Sequence, residues 1–264
     1  MKNSSFTGLL FREYYIVRSS YISALITFLV CAVLGFLMML SFRFGNLGLL
    51  IGDMSGQGGG IIKNEAIAVL LRFYGIIGMK YIPPFMTYVF VVSTANAAAK
   101  DNFTSWNRFE HCMPVSPLRF AAVKTAATAI VMAVSLILAL GYLYAIHLAS
   151  GEVFSLRDMS AVIAFQTFGI LMSILAQIFI KLLRNRDMGF LCSMAAFLIP
   201  GLIFAMRNGA AEEESPDTVV DTTEVISRLI DKTTELLPVM LIIIAVSFAA
   251  LFISMYLLYK RREK

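Results

Sequence analysis

Histidine, cysteine and tryptophan are scarce in this chain of 264 residues, which contains only two, three and one of them, respectively. The two histidines, His111 and His147, lie far apart and so cannot form the His-Glu-x-x-His helix of a zinc protease. The cysteines Cys31, Cys112 and Cys192 show neither the spacing of a metal site nor that of a disulfide framework. These shortages argue against an intramembrane zinc protease and against a cysteine-rich secreted domain.

Charged residues are also few, at 15% of the chain, and no long polar region is present. The polar segments are each at most a few tens of residues long, which leaves no room for a soluble catalytic module. We therefore do not expect this chain to be an enzyme, and we expect no cofactor to be bound to it.

Six long apolar stretches account for much of the 59% hydrophobic composition. Most of them are about as long as the ~20 residues that a helix needs to cross a bilayer. We therefore predict an all-α membrane protein with six transmembrane helices, folded as a single domain over residues 1–264. The predicted spans are Tyr21–Phe42, Ile82–Ala99, Phe120–Leu148, Ala161–Leu183, Gly189–Met206 and Leu237–Tyr259.

The charges between these spans alternate in sign along the chain. If the N-terminus is cytoplasmic, the inner segments hold 14 of the 22 Lys and Arg residues but only 5 of the 17 acidic residues. Because positive residues favour the cytoplasmic side of a membrane, both termini are expected in the cytoplasm. The basic residues are then expected to meet anionic lipid headgroups and not nucleic acid.

Four segments lie outside the predicted spans. Residues 1–19 have apolar side chains at helical spacing and predict a helix along the inner membrane surface, with an extension of the first span as the alternative. Residues 43–80 and 207–236 are predicted outer segments, rich in glycine and in acidic residues, respectively. Residues 100–119 form the richest predicted cytoplasmic loop and include the only tryptophan, Trp106.

Two short motifs and the six-span topology resemble the permease subunits of type-2 ABC exporters. The segment Leu9–Ile22 is similar to the basic and aromatic helix that precedes span one in that family. A Met-Pro-Val-Ser turn at Met113–Ser116, followed by Lys124, is similar to the family's Leu-Pro-Val-Ser turn and lysine before span three. Pro117 departs from the family, which usually has a basic residue there. In size and character the chain is similar to the permeases of bacterial phenol-soluble modulin exporters.

This resemblance implies an exporter subunit in the bacterial cytoplasmic membrane. It implies a separate ABC ATPase as partner, which would carry ATP and Mg²⁺, and a second permease copy or a close paralogue. The implied cargo is hydrophobic or amphipathic, such as a peptide toxin or an antimicrobial peptide. The alternative function is that of a non-transporting membrane sensor or assembly subunit.

An ATPase would dock on aromatic anchors surrounded by charged groups. Residues of this kind occur in the predicted loop and in the N-terminal helix. The predicted coupling residues are Phe11, Arg12, Glu13, Trp106, Asn107, Arg108, Phe109 and Glu110. Two alternatives stay open, because Trp106 also suits the headgroup level of a membrane and because Arg12 and Glu13 also suit a local ion pair that contacts lipid.

Polar residues inside the spans are candidates for a substrate path, because an unpaired amide or hydroxyl in hydrocarbon is unfavourable. The predicted path residues are Asn96, Thr128, Gln166 and Gln177, and the further candidates are Thr87, Ser93, Thr94, Thr125, Thr167, Ser173 and Ser193. The alternative for each is a hydrogen bond between helices. No ionisable residue lies near the middle of a predicted span, which favours a transporter powered by a separate ATPase over an ion channel or a proton-coupled carrier.

Overall fold

The computed structural model describes residues 4–44, 80–103, 115–151, 154–209 and 234–262. These parts of the chain are helical and contain no strand, which confirms the all-α prediction for them. The main helices are α1 (Ser4–Phe44), α2 (Tyr88–Phe103), α3 (Pro117–Ser150), α4 (Leu156–Leu183), α5 (Arg186–Gly209) and α6 (Leu237–Arg262). A short helical segment, residues 80–86, precedes α2. The predicted outer segments 43–80 and 207–236 lie largely outside the described residues.

Within the described residues, five helical stretches are long and apolar enough to cross a bilayer, which indicates a polytopic membrane protein. The five stretches are Phe6–Ser41, Lys80–Asp101, Pro117–Ser150, Leu156–Leu183 and Leu237–Lys260. Five of the six predicted spans fall in these stretches. The remaining one, Gly189–Met206, lies within α5, which is not among the five.

The local sequence explains where α3 and α4 begin and end. Pro117 begins α3, a position that suits proline because its missing N–H would have no partner there. Gly151 ends α3 with a left-handed φ of 76°. The Ser155 side chain accepts a hydrogen bond from the backbone N–H of Asp158, and this caps the start of α4. Arg184 ends α4 in the left-handed region, at a φ of 55°.

A two-residue link brings α5 back against α4. Asn185 Oδ1 accepts the backbone N–H groups of Asp187 at 3.0 Å and Met188 at 3.3 Å, and so caps α5. A Cβ added at Gly189 would lie only 2.8 Å from the backbone nitrogen of Ile180. The close antiparallel contact of the two helices therefore requires glycine at this position.

Helices α3 and α4 lie at the centre of the bundle. α4 packs against α2, α3, α5 and α6, and α3 also contacts α1, α2 and α6. Leu9 of α1, Phe120 of α3 and Tyr259 of α6 belong to one buried cluster, in which the rings of Phe120 and Tyr259 are 5.2 Å apart. Because Leu9 lies near the start of α1 and Tyr259 near the end of α6, the start of α1 and the end of α6 lie at the same end of the bundle. The outward faces carry exposed leucine, isoleucine and valine, which suits contact with lipid.

Two of the segments outside the predicted spans are continuous with neighbouring helices, and the first of them follows the alternative interpretation. Residues 4–44 form one unbroken helix, so the helix predicted over residues 1–19 is not a separate element and continues into the first span. At ~1.5 Å per residue α1 is about 60 Å long, which is twice the ~30 Å thickness of the hydrocarbon core. The predicted loop at 100–119 is partly helical, because α2 extends to Phe103 and α3 begins at Pro117.

Candidate functional site

Five charged side chains meet at the end of the bundle that holds the start of α1 and the end of α6, and we call them the proximal cluster. Its members are Arg12, Glu13, Asp101, Lys124 and Lys181. Four of them are buried, with Asp101 0% exposed and Lys181 3% exposed. Glu13 is one of the predicted coupling residues, and Asp101 falls in the predicted loop 100–119. In the structure both carboxylates lie among cations inside the bundle, and Asp101 belongs to α2.

Every carboxylate oxygen of the proximal cluster faces a cation. Arg12 reaches both carboxylates, with Nη1 2.9 Å from Glu13 Oε1 and Nη2 2.6 Å from Asp101 Oδ1. Lys124 Nζ lies 2.7 Å from Glu13 Oε2 and also contacts Asp101 Oδ2. Lys181 Nζ lies 3.4 Å from that same Asp101 oxygen. This mutual pairing permits the burial of the charges and ties α1, α2, α3 and α4 together.

A row of buried polar side chains runs from the proximal cluster along one face of α4, and we call it the polar column. Its α4 members are four or seven residues apart, which keeps them on the same helix face. Their partners are side chains on α3, on α2 and at Thr87 just before α2. The column consists of Thr87, Thr94, Thr128, Ser135, Gln166, Ser173 and Gln177.

Gln177 joins α2 and α3 in the half of the column next to the proximal cluster. Its Nε2 donates to Thr94 Oγ1 at 3.0 Å, and the same nitrogen lies 3.4 Å from Thr128 Oγ1. Ser173 Oγ lies 2.6 Å from Thr94 Oγ1 and donates to the Val91 carbonyl at 2.8 Å. The polar groups of this half therefore bond to one another across three helices.

Gln166 lies against an interruption of the helix that leads into α2. The backbone N–H of Thr87 bonds to the Pro84 carbonyl, only three residues back, at 3.2 Å, and the helical hydrogen-bond pattern breaks there. Gln166 Nε2 donates to Thr87 Oγ1 and lies 3.5 Å from the Pro84 carbonyl. Ser135 Oγ of α3 donates to Gln166 Oε1 at 3.3 Å. A single glutamine thus connects the interruption to α3 and α4.

A second group of polar and charged side chains lies at the opposite end of the column, and we call it the distal cluster. Its members are Lys80, Tyr81, His147, Ser155 and Asp158. Asp158 Oδ1 accepts from the Tyr81 hydroxyl at 2.9 Å and faces Lys80 Nζ at 3.0 Å. Asp158 Oδ2 accepts from Ser155 Oγ at 2.5 Å and lies 3.1 Å from His147 Nε2. One carboxylate therefore ties residues 80–86 to α3 and α4.

The two clusters are about one hydrocarbon core apart. Asp158 and Lys181 of α4 are separated by about 23 residues, which corresponds to ~34 Å of helix. Lys124 and His147 of α3 have the same separation, and neither helix carries a charged residue between its pair. This length matches the ~30 Å thickness of the hydrocarbon core. We therefore place the two membrane boundaries at the two clusters.

Two cavities lie beside Glu13 and Tyr21. The first, of about 20 Å³, is enclosed between the proximal cluster and the polar column and has room for about one water molecule. The second, of about 350 Å³, is an apolar groove between α1 and α3 that is also lined by Phe11, Tyr14 and Val131. The first cavity therefore adjoins buried charges, whereas the second is an open apolar groove.

The predicted coupling residues fall into two groups. Trp106–Glu110 lie outside the described residues. Phe11 is 66% exposed, and its ring stacks on Tyr15 at 6.4 Å. Arg12 and Glu13 form the local ion pair that the alternative interpretation expects, and they also join the proximal cluster. Docking of an ATPase stays a prediction for all of them.

The predicted path residues also fall into two groups. The structure brings Thr128, Gln166 and Gln177 together in the polar column, but Asn96 lies elsewhere on α2. Asn96 is half-buried, and its Oδ1 has no hydrogen-bond partner among the described residues. Several further candidates bond to a carbonyl of their own helix, namely Ser93, Thr125, Thr167 and Ser193.

Sequence reasoning missed both clusters as sites. It singled out Arg12 and Glu13 as coupling residues and Lys124 as part of a motif, and it gave Asp101, Asp158, Lys181 and His147 no place in a site. One signal was available, because both α3 and α4 carry charged or titratable residues about 23 positions apart at the two ends of an apolar run.

A comparison with known protein families, with curated proteins and with solved structures finds no match for this chain. Its function is therefore argued from the site itself.

Proposed function

We propose that this chain is the membrane subunit of an ATP-driven exporter. It works with a separate ABC ATPase and with a second copy or a close paralogue, in the bacterial cytoplasmic membrane, with both termini in the cytoplasm. The polar column carries this proposal. A path lined by amides and hydroxyls, without charged groups between its ends, suits hydrophobic or amphipathic cargo better than ions or sugar phosphates.

The helices that form the polar column can move apart and open it. Its amides and hydroxyls bond to one another while the helices are packed together. When the helices separate, the same groups become available to the polar face of an amphipathic peptide. The interruption at Thr87 supplies a place where the second span can bend. Helices α3 and α4 carry no charge between the clusters. We therefore propose that the ATPase, and not an ion gradient, supplies the energy that separates the helices.

The N-terminal part of α1 is the described segment best placed to meet the ATPase. Residues 4–12 extend about 13 Å beyond Glu13, which lies at the proposed membrane boundary. The exposed ring of Phe11 lies in this projecting segment and provides an aromatic anchor. The predicted loop residues Trp106–Glu110 follow α2, which ends at the same end of the bundle. We therefore place the docking surface at the proximal end.

Inside-out vesicles from native membranes test the transport proposal. We expect ATP-dependent accumulation of a fluorescent amphipathic helical peptide, and none with a non-hydrolysable ATP analogue. Gln166→Ala should lower the initial rate about threefold or more, since it removes an amide that meets the polar face of the peptide in a hydrogen bond of ~1 kcal/mol. Thr167→Ala is the matched control, because the Thr167 hydroxyl bonds to the Ile163 carbonyl of its own helix. Accumulation of sugars or inorganic ions, with none of any amphipathic peptide, would contradict the cargo assignment.

Single cysteines at the two ends of α4 test the orientation. In a chain without its native cysteines, an impermeant thiol reagent applied to intact cells should label Leu156→Cys. The same reagent should label Asn185→Cys only after permeabilisation. Both positions are exposed in the structure, so burial does not explain a difference between them. Labelling of Asn185→Cys from outside intact cells would show that the orientation is opposite to the proposed one.

A non-transporting sensor or assembly subunit is the second candidate. The observation in its favour is that the groups of the polar column already bond to one another, as they do in ordinary helix packing. The rate of ATP hydrolysis by the purified complex separates the two functions. Stimulation by amphipathic peptides supports the exporter. An unchanged rate with every peptide, in a complex that still contains its ATPase, supports the non-transporting subunit.

A further inference from the structure

The small enclosed cavity beside the proximal cluster is lined by side chains that donate hydrogen bonds. Its wall includes two lysines, Lys124 and Lys181, together with Gln177 and Tyr21. A lysine ammonium group donates hydrogen bonds and accepts none, and an amide or a phenol also supplies a donor. The volume of about 20 Å³ admits one particle of about the size of a water molecule. The cavity therefore suits a single small hydrogen-bond acceptor.

The neutral donors in the wall are held in place by their neighbours. The ring of Tyr21 stacks on that of Tyr14 at 6.3 Å, and the Tyr21 hydroxyl bonds to none of the described residues. Gln177 Nε2 lies 3.0 Å from Thr94 Oγ1 and 3.4 Å from Thr128 Oγ1, so the hydroxyl oxygens in the wall already face an N–H donor. The phenol is therefore a donor that a ligand in the cavity can satisfy.

The acidic residue in the cavity wall is Glu13, and cations already face both of its oxygens. Oε1 lies 2.9 Å from Arg12 Nη1, and Oε2 lies 2.7 Å from Lys124 Nζ. The proximal cluster as defined above contains three cations and two carboxylates. A neutral water molecule in the cavity would leave this positive excess unchanged, whereas an anion would balance it where bulk water has little access.

We propose that this cavity is a binding site for one small monovalent anion of about the size of chloride. The ligands are the ammonium groups of Lys124 and Lys181, the amide of Gln177 and the hydroxyl of Tyr21. The anion thereby joins α1, α3 and α4 at the proximal end. Sulfate, phosphate and organic anions are excluded by the volume of the cavity. The inference rests on the proximal cluster and its cavity, and it does not depend on the proposed export function.

Thermal unfolding of the full chain, purified in detergent without chloride, tests anion binding. Sodium chloride or sodium bromide should raise the unfolding midpoint by about 2–4 °C over sodium gluconate at the same ionic strength, once the site is largely occupied. Gluconate is the reference because it is too large for the cavity. Equal midpoints in chloride and in gluconate would overturn the proposal.

Three variants show whether the shift comes from this cavity. Lys181→Gln should remove the difference between chloride and gluconate, even if it lowers the midpoint in both salts. Tyr21→Phe keeps every charge and should raise the chloride concentration that gives half of the shift about three- to fivefold, since it removes one donor. Lys100→Gln is the matched control, because Lys100 is exposed and donates to the Ile16 carbonyl outside the cavity wall. A full shift in Lys181→Gln, or the same loss in Lys100→Gln, would contradict the assignment.

Bromide locates the anion directly. In crystals of the full chain grown with sodium bromide, the anomalous scattering of bromine should give a peak inside the cavity, within contact distance of Lys124 and Lys181. A water molecule in the cavity without an anomalous peak would overturn the proposal. Peaks at surface lysines alone would show an adventitious ion only and would overturn it as well.

Discussion

The proximal and distal clusters both hold helices together at an end of the bundle, but they use different chemistry. The proximal cluster joins four helices through two carboxylates and three cations, none of which is a histidine. The distal cluster joins α3, α4 and residues 80–86 through one carboxylate and includes His147. Each carboxylate of the proximal cluster contacts two or three cations, whereas Asp158 of the distal cluster contacts Lys80, two hydroxyls and a histidine ring. The comparison distinguishes a network of paired charges from a single carboxylate that also accepts hydrogen bonds from neutral hydroxyls.

The clusters also differ in how well water reaches them. The Lys181 side chain in the proximal cluster is 2% exposed, whereas the Lys80 side chain in the distal cluster is 18% exposed. A buried cation that loses its partner is destabilised far more than one that water can reach. Removal of a carboxylate should therefore destabilise the protein more at the proximal end than at the distal end.

The largest effect is expected from Asp101→Asn. This change removes a carboxylate that contacts three cations and leaves Glu13 as the only anion of the proximal cluster. We expect the free energy of unfolding to fall by about 3–5 kcal/mol, as measured by denaturant titration of the chain in detergent. Asp187→Asn, at an exposed position in the first turn of α5, is the matched control and should change it by about 0.5 kcal/mol or less. A loss of less than about 1 kcal/mol for Asp101→Asn would contradict the expectation that the proximal cluster contributes more to stability than the distal cluster.

Asp158→Asn should have the next largest effect. The amide keeps the shape of the carboxylate and still accepts from the Tyr81 or Ser155 hydroxyl, but Lys80 loses its anion. Because the Lys80 side chain is partly hydrated, we expect a loss of about 1–3 kcal/mol in the same denaturant titration. A loss equal to that of Asp101→Asn would show that the distal cluster is as rigidly required as the proximal one.

Gln177→Ala tests the neutral column between the clusters. It removes the amide that connects Thr94 of α2 with Thr128 of α3, and no charge is left unpaired. We expect a loss of about 1–2 kcal/mol, measured as for the clusters. Thr125→Ala is the matched control, since the Thr125 hydroxyl bonds to the Ala121 carbonyl of its own helix. Equal losses for the two changes would mean that the contacts between helices add nothing to stability.

The smallest effect on folding is expected from Phe11→Ala, beyond the proximal cluster. Its ring is 66% exposed, so the free energy of unfolding should change by about 0.5 kcal/mol or less. Leu9→Ala, two residues away and 8% exposed, should cost about 2–4 kcal/mol in the same measurement. If the ATPase docks at the proximal end, co-purification from native membranes should show a larger loss of ATPase binding for Phe11→Ala than for Leu9→Ala. Unchanged ATPase binding in Phe11→Ala would remove Phe11 from the proposed docking surface.

Much of the fold was predictable because it depends on properties of short stretches of sequence. An apolar run of ~20 residues predicts a helix wherever it lies in the chain, and the six predicted spans are helical in the structure except at the interruption around Thr87. The same reasoning did not predict the burial of Glu13, whose neighbours in sequence are typical of a membrane surface. Its burial depends on Lys124, which is 111 positions away, and no local pattern reports that contact.

The candidate site was predictable only in part. Gln166 and Gln177 stood out because an amide in an apolar span needs a partner, and both have one in the structure. Asn96 met the same criterion, but it lies away from the column. Residue type predicts that a partner is needed, whereas the rotation of each helix about its axis decides which partner it meets.

The sequence by itself determined the helical class, the membrane environment and the approximate position of each helix, because hydropathy and helix length act within a single segment. The tertiary structure alone decided that Asp101 meets Lys124 and Lys181, and that Asp158 meets His147. Apolar helices of similar composition can pack in many rotations and registers, and lipid discriminates little among them. Only the packed bundle selects the arrangement in which every buried carboxylate of the two clusters faces a cation.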